Sequence, residues 1–86
     1  MNFIGYSLAD RAQKLDEAEK LLQRAHELRP ENGYITDSLG WLCYRRGDFA
    51  RAVEFLERAD RLSPGEPVIL DHLGDAYLGA ARRAQA

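Results

Sequence analysis

The sequence predicts an all-α fold: an antiparallel helix-pair solenoid of about five helices, made of two helix pairs and one further helix. Three observations support this prediction. The chain repeats itself when it is shifted by 34 residues, apolar residues recur at three- and four-residue spacing, and proline or glycine interrupts the pattern where helices would end. We expect a single domain over residues 1–86, with repeat units at about 1–31, 32–65 and 66–86, the last of them truncated.

Equivalent residues in successive units define the repeat. The shift aligns Ala18 with Ala52, Leu22 with Leu56, Ala25 with Ala59, Pro30 with Pro64, Leu39 with Leu73, and Gly40 with Gly74. A period of this length indicates stacked supersecondary units that bury their apolar faces against one another. The first unit slips by one residue, because Gly5 precedes Ala18 by 13 residues whereas Gly40 precedes Ala52 by 12. We assign the extra residue to a turn at residues 11–14.

Turn chemistry sets the helix bounds, which we place at residues 2–11, 15–28, 32–46, 49–62 and 67–80. Asn32 and Asp48 are good N-caps. Gly47 suits the left-handed residue that follows a helix, and Pro67 suits a first helical position. The residues from 81 onward lack large apolar side chains that would offset their ordering entropy, so we expect a frayed tail.

Three glycines occupy equivalent positions in the interior of predicted helices, namely Gly5, Gly40 and Gly74. A glycine inside a helix costs about 1 kcal/mol relative to alanine. Its recurrence at equivalent positions therefore predicts close contact with a neighbouring helix at each of the three.

The composition and charge limit the classes of function and the locations that we expect. The formal charge of −2 is too small, and its signs too mixed, to predict nucleic-acid binding. No apolar run approaches the roughly 20 residues of a membrane span, and no basic stretch with an apolar core marks a secretory signal. If these residues are the whole chain, a cytoplasmic location is expected. If they are a piece of a longer protein, a periplasmic or membrane-anchored location stays open.

Residues 37–64 resemble the tetratricopeptide repeat pattern, W-x2-L-G-x2-Y followed by A-x3-F, A and P. The matching residues are Leu39, Gly40, Ala52, Leu56, Ala59 and Pro64, while Thr36 and Cys43 stand where the pattern has tryptophan and tyrosine. The resemblance covers almost the whole chain. It implies antiparallel helix pairs in a right-handed superhelix, whose concave groove holds an extended peptide or a partner helix.

Three runs, IGYSLAD, DSLGWLCYRRG and DHLGD, also look like the C-terminal repeats of bacterial tetratricopeptide proteins. Some of those proteins are membrane-anchored lipoproteins that serve as adaptors. This likeness implies a protein-binding scaffold without enzymatic activity and without a cofactor.

Helical geometry predicts which residues line the groove. If Leu39, Gly40 and Cys43 face a neighbouring helix, another face of the same helix turns to the groove. The predicted lining is Tyr6 from the first helix, Tyr34, Asp37, Trp41, Tyr44 and Arg45 from the third, and Asp71, Asp75 and Leu78 from the fifth. This lining is aromatic and acidic, so we expect a protein or peptide ligand with basic and apolar character, anchored on Trp41. The alternative is that Trp41, Tyr34 and Tyr44 belong to the core.

The sequence offers little for catalysis or metal binding. Cys43, His26 and His72 share no ligand-type spacing, so no metal site is predicted. A cysteine also needs a basic or helix-terminal setting to be reactive. We therefore expect Cys43 to be a small buried hydrophobic residue.

Self-association is the alternative function. The fifth helix would present Ile69, Leu70, Leu73 and Tyr77 to a sixth helix that these residues do not supply. A second copy could cover this face by stacking end to end. It could also exchange helices if the turn at residues 45–48 straightened, which Gly47 disfavours. We therefore expect a homo-oligomer or a helix-swapped dimer.

Overall fold

The computed structural model describes residues 4–85, and their side chains from residue 14 onward. Residues 4–85 form four helices: α1 (Ile4–Leu28), α2 (Gly33–Arg45), α3 (Phe49–Leu62) and α4 (Pro67–Gln85). No strand occurs within that range, which confirms the all-α class.

The first two predicted helices are one continuous helix, α1, so residues 4–85 contain four helices and not five. The turn predicted at residues 11–14 is absent. Its physical reason is the local sequence, since arginine, alanine, glutamine and lysine are all good helix formers. The corresponding central turn has Gly47, whose φ of 82° ends α2. Residues 11–14 contain no residue that breaks a helix, and this outweighs the one-residue slip in the repeat as evidence on whether a turn forms there.

The other predicted turns are confirmed. The side chain of Asn32 caps α2 by accepting hydrogen bonds from the amides of Tyr34 at 2.9 Å and Ile35 at 3.1 Å. Asp48 caps α3 by accepting one from the amide of Arg51 at 3.3 Å. Pro67 is the first residue of α4, as its fixed φ favours.

The C-terminal end of α4 differs from the prediction. The helix runs to Gln85 and does not stop near residue 80. Arg83 donates a hydrogen bond to the carbonyl oxygen of Gly47, and its guanidinium lies 5.9 Å from the centre of the Phe49 ring. The expectation of a frayed tail overlooked a long side chain that reaches the turn between α2 and α3.

The core lies where α3 packs against α2 and α4. Its buried apolar residues are Leu39, Leu42, Cys43, Ala52, Leu56, Ala59, Ile69 and Ala76.

The predicted close approach at Gly40 is confirmed, because a Cβ atom there would lie 2.6 Å from Cγ of Leu56. At Gly74 it is wrong, because no neighbouring heavy atom lies within 4 Å of the corresponding point. Gly5 lies in the part of α1 whose side-chain contacts the structure does not describe.

Candidate functional site

Three stacked rings join α2 to α4. The indole of Trp41 lies between the ring of Tyr44, with centroids 4.7 Å apart, and the imidazole of His72, with centroids 4.1 Å apart. The planes are nearly parallel in both pairs, at 9° and 18°. Trp41 remains half-buried, so part of its surface is available to solvent. The stack therefore presents a tryptophan whose orientation is set from both sides.

Polar and aromatic contacts fix the two ends of this stack. At one end, Nδ1 of His72 lies 2.9 Å from Oδ1 of Asp37, which is buried at 6% exposure. At the other end, Tyr44 meets Phe49 edge-on at 5.4 Å. Phe49 in turn packs so closely on α4 that a Cβ atom at Gly79 would lie 2.7 Å from its ring. The stack thus ties together α2, α3 and α4.

Two grooves flank the stack. The first, which we call the α1–α2 groove, has a volume of about 290 Å³ and is lined in part by Leu15, Ala18, Leu22, Trp41, Leu42 and Arg45. The second, which we call the α4 groove, has a volume of about 350 Å³ and is lined in part by Tyr44, Phe49, Asp75, Leu78 and Arg82. Both combine an apolar wall with charged side chains at the edge.

The structure brings Asp37, Trp41 and Tyr44 of the predicted lining into one contact network. Arg45 is exposed at the edge of the α1–α2 groove, and Asp75 is exposed in the α4 groove. The two arginine-edged grooves show that cations as well as carboxylates flank the aromatic residues.

The other predicted lining residues lie apart from this network. Asp71 is exposed on α4. Tyr34 is half-exposed, and its hydrogen bond with Glu66 raises the pKa of the Tyr34 hydroxyl. Tyr6 falls in the part of α1 whose side chains are outside the described residues.

The predicted lining did not include His72 or Phe49, which the structure brings into the contact network. His72 is equivalent to Ser38 under the 34-residue shift, so the repeat offered no matching residue to compare it with. The available signal was the pair Asp37 and Trp41, which are four residues apart and so share one face of α2. A histidine on α4, the first helix of the next repeat unit, can contact both Asp37 and Trp41. Because His72 contacts Asp37, the open carboxylate next to the ring stack is that of Asp75, which is exposed in the α4 groove beside Tyr44.

The residues predicted for self-association divide into two sets. Ile69 is completely buried and Leu73 is half-buried, because the inner face of α4 packs against the core. Leu70 and Tyr77 are each 47% exposed, and Gly74 lies open between them. The Tyr77 hydroxyl donates a hydrogen bond of 2.5 Å to Oε2 of Glu57, which raises the pKa of Tyr77.

The chemistry of the described residues gives no sign of a reactive centre. Cys43 is buried in the core, and this burial raises the pKa of its thiol. Over residues 14–85, no three histidine, cysteine, aspartate or glutamate side chains cluster as a metal site would require. None of the helices described here combines the length and apolar character needed to cross a membrane.

Comparison with known proteins agrees with the fold and its repeat. The family model described as tetratricopeptide repeat matches residues 7–67. A TPR repeat-containing protein of Pseudomonas aeruginosa is 41% identical over 75 residues, which cover 87% of this chain and 12% of that relative. The chain thus spans about an eighth of the length of the curated protein that it matches. This chain belongs to the tetratricopeptide repeat family.

Proposed function

We propose that the protein binds a segment of another protein, a peptide or a helix, across the face of α2 and α4 that presents Trp41. The observation that carries the proposal is the ring stack, in which Tyr44 and His72 hold the half-buried indole from both sides. Tryptophan is enriched among the residues that dominate binding energy. An anchor that is already immobilised loses little conformational entropy when the ligand arrives.

The surroundings of Trp41 suggest the chemistry of the ligand. Asp71 and Asp75 are exposed on α4, and Leu78 beside them is 52% exposed. Asp37 contributes less charge to a ligand because its carboxylate already contacts His72. The best match is a segment with an apolar residue for the indole and a lysine or arginine for the carboxylates. Tetratricopeptide repeats generally mediate contacts between proteins, which fits a scaffold and not an enzyme.

Peptide-library selection followed by titration of the tryptophan fluorescence tests this proposal, because Trp41 is the sole tryptophan of the sequence. We expect enrichment of basic and apolar peptides, and about tenfold weaker binding by Asp75→Lys, which corresponds to about 1.4 kcal/mol. Glu54→Lys makes the same charge change at an exposed position of α3 and is the matched control. Enrichment of acidic peptides, or equal binding by the two variants, would reject the proposal.

A second candidate function is self-association through α4, with a second copy of the chain as the partner. Leu70, Gly74 and Tyr77 form an open strip, whereas the equivalent α2 residues Thr36, Gly40 and Cys43 are buried. Sedimentation over a range of concentrations tests this candidate with Leu70→Lys. The control is Val68→Lys, since Val68 is similarly exposed on the same helix. An assembly size that is the same for Leu70→Lys as for the parent chain would reject this surface.

A further inference from the structure

An unfilled helix site lies on α1. On α3, Ala52 and Leu56 are completely buried because α2 and α4 cover them. Their equivalents on α1, Ala18 and Leu22, are only half-buried and line the α1–α2 groove. The two helices carry the same apolar pattern, so the difference arises from a neighbour that α3 has and that α1 lacks among residues 4–85.

A second position shows the same difference. Phe55 on α3 is half-buried and its Cβ would lie 3.2 Å from a Cβ at Gly40 of α2. The equivalent residue on α1 is Leu21, which is 71% exposed. The missing neighbour of α1 is therefore the counterpart of α2, a helix with a glycine in its centre.

The sequence contains such a helix in residues 4–11, where Gly5 takes the place of Gly40. These residues continue α1 as one uninterrupted helix and do not return to cover it. At 1.5 Å per residue, their first residue lies about 15 Å beyond residue 14 along the helix axis. Just after the junction, Asp16 bonds to Arg46 at 2.5 Å, which holds this end of α1 against α2.

We propose that residues 4–11 of a second copy fill the unfilled site, and that the exchange is reciprocal, giving a helix-swapped dimer. The central turn that folds α2 back on α3 uses Gly47 at positive φ and Asp48 as an N-cap. The equivalent positions on α1 hold Gln13 and Lys14, which favour a continuous helix. A segment that the continuous helix directs away from its own chain reaches the same site on a partner, and two-fold exchange closes the assembly.

Charge and site composition favour the same occupant. Arg45 and Lys14 line the outer part of the groove next to α1. The repeat register makes Asp10 the counterpart of Arg45 and Arg11 the counterpart of Arg46, so the incoming segment offers this basic edge one carboxylate together with one cation. The register also makes Tyr6 the counterpart of Trp41. The partner's Tyr6 would thus complete the aromatic face on which the proposed ligand binds, although the exchange itself does not depend on that ligand.

Cysteine cross-linking between two different variants tests the exchange. Leu8 is the counterpart of Cys43, which shares a core cluster with Ala52, the counterpart of Ala18. One chain carries Leu8→Cys and the other Ala18→Cys, both with Cys43→Ala, and the two are refolded together and oxidised. We expect a covalent heterodimer, because the exchange would bring these two positions into one apolar cluster, as Cys43 and Ala52 are in α2 and α3. Replacing Ala18→Cys by Lys20→Cys moves the thiol to an exposed position of α1 and should abolish the product.

A turn-restoring variant provides the second measurement. Gln13→Gly with Lys14→Asp copies the residues of the central turn, so residues 4–11 should return to their own chain and sedimentation should shift from dimer to monomer. Gln13→Ala with Lys14→Asp makes the same charge change without the glycine and should remain dimeric. A monomeric parent chain that forms the disulfide only when Leu8→Cys and Ala18→Cys are on one molecule would overturn the proposal. Circular dichroism verifies that each variant is folded.

Discussion

Nδ1 of His72 on α4 lies 2.9 Å from Oδ1 of Asp37 on α2. The same imidazole stacks on Trp41, so one side chain contacts both a buried carboxylate and the half-buried anchor of the site. A buried carboxylate needs a partner, because removal of its hydrogen bond leaves the full desolvation penalty. The contact between Asp37 and His72 therefore stabilises the packing of α4 on α2 as well as the orientation of Trp41.

A double-mutant cycle tests this contact. We expect Asp37→Ala and His72→Ala each to lower the free energy of unfolding by about 1–3 kcal/mol. The double variant should lose less than the sum, by about 0.5 kcal/mol or more, because the residues interact directly. Urea unfolding followed by circular dichroism gives the values. Asp71→Ala, which removes an exposed carboxylate from α4, should change stability by less than about 0.5 kcal/mol. Strict additivity would show that the two residues do not stabilise each other.

Two equivalent glycines should respond to alanine in opposite ways. At Gly40 a methyl group would meet Leu56 at 2.6 Å, so Gly40→Ala should lower the free energy of unfolding by about 1–3 kcal/mol. At Gly74 no heavy atom lies within 4 Å, so Gly74→Ala should raise it by up to about 1 kcal/mol through helix propensity. Urea unfolding of the two variants under identical conditions measures the difference. Destabilisation by Gly74→Ala would indicate that another helix covers this position.

The thiol of Cys43 should react slowly in the folded protein. Burial raises its pKa, so the thiolate is scarcer at neutral pH than in an ordinary cysteine, and the side chain is also shielded from reagents. Labelling with a chromogenic disulfide should become faster as the pH rises above the ordinary thiol range. Cys43→Ala combined with Lys20→Cys supplies an exposed thiol as the control. Equal labelling rates at neutral pH would contradict this prediction and reopen a chemical role for Cys43.

Repeat spacing and turn chemistry predicted most of the fold, because they act locally. Asn32, Asp48 and Pro67 set helix ends through their own backbone or the next few amides, so sequence alone identifies them. The continuity of α1 was not predicted. It follows from the absence of glycine and proline at residues 11–14, and the repeat alignment does not show such an absence. An aligned repeat made the turn seem necessary where local propensity did not favour it.

The site was less predictable than the fold, because its contacts cross between units. Helical geometry placed Asp37 and Trp41 on one face, but it did not identify the residue of α4 that meets them. His72 occupies a position where the preceding unit has Ser38, so the repeat itself concealed the contact. Ile69 was assigned to an open face for a related reason. The burial of Ile69 depends on how α4 packs against the core, and this packing is visible only in the folded structure.

The last prediction concerns the end of α4, where Arg83 reaches Gly47 and the ring of Phe49. Arg83→Ala removes a hydrogen bond and a cation–π contact, so we expect a loss of about 1 kcal/mol in unfolding free energy. The amides of residues 81–85 should also exchange faster with solvent, since the last turn of α4 then loses the contact of Arg83 with the turn between α2 and α3. Hydrogen exchange measured by nuclear magnetic resonance compares this variant with Arg82→Ala, which removes the neighbouring cation. If Arg82→Ala increases exchange as much as Arg83→Ala does, general charge near the helix end, and not the contact with Gly47 and Phe49, orders the terminus.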